Sequence, residues 1–244
     1  MGALLALSAP VAVMVGVQSP VQAAPPPSDL VMGLEQALNT ADQAALEALL
    51  VPAQWEQWAP RLRRFTESFP NARWQLSAED PLPDGRLPVA VRVEGRMNNN
   101  GLQFALTANQ TLALSTDAGR ITGQEVLKDQ SLLVHAQGEL PVTLLIPDTV
   151  LIGSRYDVDV VLDEPLGQAL LAGGLTALTP GQVRAQANPT IPLEPLGGGG
   201  LFKSVQAPLQ PGVQTWAATL VHPDGVITVT KQVRVVRDRS QLDS

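Results

Sequence analysis

LPVAVRVEGRMNNNGLQFALTA, residues 87–108, decides the fold. Leu87, Val89, Val91 and Val93 alternate with Pro88, Ala90, Arg92 and Glu94, which sets one apolar and one mixed face on a β-strand. Asn98-Asn-Asn-Gly101 follows, and Asn-Gly accepts the positive φ angles of a tight hairpin turn. Leu102, Phe104, Leu106 and Ala108 then alternate on a second strand that continues to Leu114. Outward from this hairpin, Arg73–Glu79 reads as a short strand, Asp117-Ala-Gly119 as a turn and Ile121–His135 as a further strand. Polar residues near Lys128-Asp129 interrupt that last strand.

Upstream the period is helical. Leu30, Leu34 and Leu38 recur at helix spacing, and Thr40-Ala-Asp-Gln43 has the form of a capping box. A second segment carries Leu46, Leu49 and Leu50 and stops at Pro52. A third runs from about Ala53 to Phe69, with Trp55, Trp58, Leu62, Phe65 and Phe69 on one stripe and a fresh first turn at Pro60. Downstream of Gly138 the helical period disappears. Val142–Ile146, Tyr156–Leu162, Gln168–Ala172, Val183–Ala187, Leu201–Gln206, Val213–Val221 and Val226–Val236 read as seven short strands. Pro and Gly turns separate them, Gly173-Gly174 among these. That spacing predicts an immunoglobulin-like β-sandwich.

The expected organisation is a signal peptide at 1–24 and a Pro-rich spacer at 25–28. An α+β domain with helices packed on a curved antiparallel sheet follows at 29–136, then an all-β sandwich at 137–237 and a polar tail at 238–244. The leader reading rests on 28 residues without a charged side chain and on small residues at Val21, Ala23 and Ala24 before three prolines. Only the terminal amine supplies positive charge, which points to a start upstream of Met1. The expected compartment is a periplasm or thylakoid lumen, or the exterior. An uncleaved membrane anchor is the alternative.

The 244 residues contain no Cys, so thiol catalysis, zinc-thiolate sites and disulfides are excluded. Net charge is −7, spread over both halves, which argues against nucleic acid and anionic membrane surfaces. Three of the 16 basic residues are Lys.

Leu38-Asn-Thr-Ala-Asp42, Arg64-Phe65 to Phe69-Pro70, Asn71-Ala-Arg-Trp74, Asp84-Gly85 and Asp117-Ala-Gly-Arg-Ile121 carry a resemblance to the nuclear transport factor 2-like superfamily, also called SnoaL-like. It covers roughly residues 29–136. The resemblance implies a cone: a curved sheet wrapped on helices, with an open pocket or a dimer surface. Leu209-Gln-Pro-Gly212 through Val236 is similar to immunoglobulin-like domains. The combination with an export leader resembles exported cyanobacterial proteins. The acid–base set of the superfamily's enzymes is not found. Asp42 reads as a helix-capping residue, and Arg92 and Glu94 either point into the cone or pair on the surface.

Trp55, Trp58, Trp74 and Phe104 are the candidate pocket residues if an apolar ligand exists. They are otherwise core. Asp157 and Asp159 share a strand face and are calcium candidates, against the alternative of a solvated face. His135 and His222 have no neighbouring ligand set, and Gly197–Ser204 lacks the Gly before Lys that a phosphate loop needs. No cofactor is expected. The expected function is an exported, non-enzymatic binding or protein-interaction module with an unspecified protein partner or a second copy as homodimer. A cyclase- or isomerase-like enzyme using Arg92 and Glu94, or a cell-surface assembly protein, is the alternative.

Overall fold

The computed structural model describes residues 27–138, 140–186 and 189–242. Three helices come first: α1 (Pro27–Thr40), α2 (Gln43–Leu49) and α3 (Pro52–Ser68). Strands β1 (Arg73–Ala78), β2 (Leu87–Asn99), β3 (Leu102–Asp117) and β4 (Arg120–Ala136) form a meander. The second half contains β5 (Val142–Leu145), β6 (Thr149–Leu151), β7 (Arg155–Leu162), β8 (Leu171–Leu178), a short helix α4 (Pro180–Ala185), β9 (Glu194–Leu196), β10 (Gly200–Gln206), β11 (Gly212–His222) and β12 (Gly225–Val236).

The expected α+β unit followed by a separate sandwich is corrected here. The described residues are mostly β, 51% strand against 22% helix, with a nine-stranded sheet running through both halves. Its order is β1-β2-β3-β4-β12-β11-β8-β9, with β6 added in parallel on β12. The seam is β4 against β12, from Ala136↔Gly225 to Gln130↔Lys231. A strand of the meander thus takes the edge that β12 would otherwise expose, so one sheet runs through both halves. A second sheet of three strands, β10-β7-β5, completes the sandwich.

The two halves are covered on opposite faces. On one face of the meander, α1 and α2 bury Leu34, Leu46 and Leu50 against Val89, Val91, Val93, Leu114 and Ile121. Each fully buried aliphatic side chain contributes about 1.5–3 kcal/mol. On the other face of the C-terminal strands, β7 and β10 pack Tyr156, Val158, Val160 and Leu201 over Trp216, Ile227, Val229 and Val233. Leu132, Val134 and Ala136 of β4 pack against this second core, but among the described residues no layer covers the same face over β1–β3, and that open face positions the site.

Local details follow the residue chemistry. Asn100 (φ 53°) and Gly101 (φ 82°) make the expected hairpin turn, and Ala118 (φ 46°) and Gly119 (φ 77°) make the next one. The start of α2 differs from the expected capping box. Asp42, not Thr40, accepts the Ala45 amide at 3.0 Å, while the Thr40 hydroxyl donates back to the Gln36 carbonyl within α1. Pro60 lies inside an unbroken α3, not at a new helix start.

The described part of the expected strand Val183–Ala187, residues 183–186, is not a strand; α4 occupies Pro180–Ala185 instead. Thr179 and Gln182 form a capping box there behind Pro180, which favours helix over the local Val. Gly173-Gly174 is not a turn but lies inside β8, which begins at Leu171, past most of the expected strand. A Cβ at Gly174 would meet the Pro192 carbonyl oxygen at 2.1 Å, so glycine here serves close backbone approach.

The outer edge of β1 is closed by side chains of α1. Asn39 accepts the Trp74 amide at 2.9 Å and donates to the Trp74 carbonyl at 2.8 Å. Glu35 accepts the Leu76 amide at 2.8 Å. These groups stand in for a neighbouring strand and blunt the edge.

Candidate functional site

Cross-strand partners share a face, so register alone draws the site. One row reads Gln75 (β1), Arg92 (β2), Asn109 (β3), Gln130 (β4), Lys231 (β12) and Trp216 (β11). The next row holds Ser77, Ala90, Thr111 and Lys128. Gln75, Arg92 and Asn109 are exposed, Gln130 is half-buried, and Lys231 and Trp216 are buried. The row thus runs from the open face of the meander to beneath the three-stranded sheet. All of these residues except Trp216 floor a groove of about 540 Å³, which Asp148 also lines. That volume lies within the usual range for small-molecule sites.

The inner end is built where the sheet forks. Strand β4 leaves β12 after Gln130↔Lys231, and β6 joins β12 at Thr149↔Arg234. Asp148, the residue before β6, is held at the fork by the Arg234 amide, which donates to its carbonyl at 2.8 Å. Its carboxylate binds the Lys231 ammonium and lies 3.8 Å from that of Lys128. Lys231 also donates to Gln130 Oε1 at 3.4 Å. Gln232 donates to the Val126 carbonyl at 3.1 Å and Arg234 reaches Glu125 at 3.2 Å across the fork. The polar interruption at Lys128-Asp129 does not break β4. It marks a β-bulge, with the pairing slipping between Thr111 and Leu112.

Asp129 alternates with Lys128 and Gln130, so its carboxylate is on the opposite, helix-side face, where it accepts from Gln110 Nε2 at 3.0 Å. Burial pushes its carboxyl above the usual carboxylate range; the Gln110 hydrogen bond and the Lys231 charge oppose that rise. Under the second sheet, Trp216 Nε1 donates to the Tyr156 hydroxyl at 3.0 Å, and the Lys203 ammonium lies 5.5 Å from the Trp216 ring centroid. Burial raises the Tyr156 phenol, against the hydrogen bond from Trp216.

Arg92 and Glu94, two residues apart on β2, form a surface ion pair at 2.7 Å with both side chains about half exposed. Arg92 also lines the groove, whereas Glu94 does not. Trp55, Trp58 and Trp74 are partly buried and packed against the helix-side core, on the face opposite the groove. Trp74 meets Phe65 edge-on at 5.2 Å, and the Trp58 indole nitrogen is buried without a hydrogen-bond partner among the described residues. Phe104 tilts against His135 at 5.4 Å. None of these aromatics lines the groove.

Asp157 accepts from the Ser204 hydroxyl at 2.7 Å and Asp159 from the Lys203 amide at 3.3 Å. Among the described residues no three His, Cys, Asp or Glu side chains converge as metal ligands. Val21, Ala23 and Ala24 lie outside the described residues.

Sequence reasoning missed Lys128, Gln130, Asp148 and Lys231. One signal was present: the chain has three Lys among 16 basic residues. Two of them line this groove, and the third caps Trp216, the next residue of the same row.

No helix among the described residues is long and apolar enough to cross a membrane. No curated protein matches the chain. A family model described as "Domain of unknown function (DUF8623)" matches residues 137–236. That stretch begins just after β4 and ends with β12, so it contains Asp148 and Lys231 but not Arg92, Asn109 or Lys128.

Proposed function

We propose that the chain is an exported, non-enzymatic binding module that holds a small polar ligand in the groove at the β4–β12 seam. The observation that carries this reading is the row itself. One sheet face, open over β1–β3 and covered at its inner end, presents an amide, a guanidinium, two further amides and a buried ammonium on five successive strands. A solvated surface row needs no ammonium buried at its end, and a core row would be apolar. Export rests on the leader-like residues 1–24.

The test is thermal-shift screening of the full chain against polar small molecules of several classes, repeated with Asn109→Ala and Lys128→Ala. Stabilisation by some class that both variants weaken supports the reading. No stabilisation by any class, or stabilisation indifferent to both variants, overturns it.

A further inference from the structure

We propose that the ligand class of this groove is a neutral oligosaccharide lying across the strands, along the row from Gln75 to Lys231. The inference rests on the binding reading above and narrows it.

Spacing is the first argument. Neighbouring strands lie about 4.8 Å apart, so a polar side chain recurs at that interval over roughly 19 Å. A ligand along the row must offer hydrogen-bonding groups at a similar repeat. A chain of pyranose rings does so, with hydroxyls on every ring. An extended peptide has a shorter repeat and falls out of step.

Donor and acceptor inventory is the second. Gln75, Asn109 and Gln130 each present an amide that both donates and accepts. Hydroxyl groups also do both, so amides and hydroxyls satisfy one another in either sense. Phosphates and carboxylates only accept, which leaves the amide oxygens unmatched.

Charge is the third. Arg92 has its own carboxylate, and Lys231 and Lys128 share a second. Both Nε and Nη2 of Arg92 donate to Glu94 Oε1, at 3.0 and 2.7 Å, so its fork is occupied. Lys231 binds Asp148, with Lys128 beside the same carboxylate. An anionic ligand at Arg92 or Lys231 would have to displace Glu94 or Asp148, whereas a neutral one leaves these pairs intact. Among the described residues no aromatic ring lines the groove, so nucleobases find no stacking surface.

The experiment is calorimetric titration of the full chain with neutral oligosaccharides of two to six rings, acidic oligosaccharides of the same lengths, and polar peptides. The expected result is binding of a neutral series, with affinity rising to about four rings, the length of the row. Asn109→Ala and Gln75→Ala each weaken it about five- to tenfold, the loss of one net hydrogen bond. Gln57→Ala on α3 leaves it unchanged. Both groove residues are exposed, so their variants retain the fold, checked by an unchanged unfolding midpoint.

Preference for acidic oligosaccharides or peptides, with the same variant sensitivity, overturns the ligand class and leaves the groove as the binding site. Neutral binding indifferent to both groove variants overturns the inference. Absence of any groove-dependent ligand overturns both readings.

Discussion

The Lys231–Asp148 pair is asymmetric, and the asymmetry predicts an unequal response to losing either partner. The Lys231 side chain is 8% exposed and that of Asp148 34%. In Asp148→Ala the ammonium stays buried with only the Gln130 amide oxygen at 3.4 Å. Breaking a fully buried pair in this way costs about 3–5 kcal/mol. Asp148 is about a third exposed, and water screens part of the interaction, so the expected loss is nearer 2 kcal/mol. At roughly 2–4 °C per kcal/mol for a chain of this size, Tm falls by about 4–8 °C.

In Lys231→Met the long apolar stem is kept and the charge that needed desolvation is gone. Asp148 still has Lys128 at 3.8 Å and access to water. The expected change is within about 1 kcal/mol of the parent, of either sign. Urea unfolding of both variants and the double variant measures the difference. Equal losses, or Lys231→Met losing more, would refute the argument that burial of the ammonium sets the energetics of this corner.

Gly174→Ala drives a methyl against the Pro192 carbonyl, 2.1 Å from the ideal Cβ, so a loss of about 3 kcal/mol or failure to accumulate is expected; a parent-like urea midpoint counts against the close-approach reading. Asn39→Ala removes two hydrogen bonds to the Trp74 backbone and lowers stability by about 2 kcal/mol, with faster amide exchange confined first to β1; unchanged exchange there would show the edge is guarded otherwise. The raised Asp129 carboxyl means the folded state holds a proton more tightly than the unfolded one. Its contribution is therefore complete below the ordinary value of 3.8 and is lost as pH rises through the raised value. Each tenfold gain in the carboxyl's proton affinity on folding is worth about 1.4 kcal/mol. Asp129→Asn should gain on the parent with increasing pH from 4 upward in urea titrations, and a gain that shrinks with pH would reverse the assignment.

The local elements were legible in the residues themselves. Alternation fixed the meander strands because a half-buried strand must place apolar residues at every second position, as Val89, Val91 and Val93 do. Asn100-Gly101 and Asp117–Gly119 fixed its turns because few residues accept positive φ. Where propensity misled, a short-range competitor won. The Thr179–Gln182 capping box made a helix of a Val-containing segment, and backbone proximity placed Gly173-Gly174 inside a strand.

Which strand pairs with which across a long chain separation was not legible, because strand patterns encode faces and not partners. Ser131 and Thr230 alternate alike whether or not β4 lies beside β12. Long-range packing selects that pairing, and with it the continuous sheet. The same pairing brings Arg92, Asn109 and Lys128 of the first half into one groove with Asp148 and Lys231 of the second. The charges of that groove were visible as isolated letters. Their meaning depends on a fork in the sheet and on a face left uncovered, and packing alone sets both.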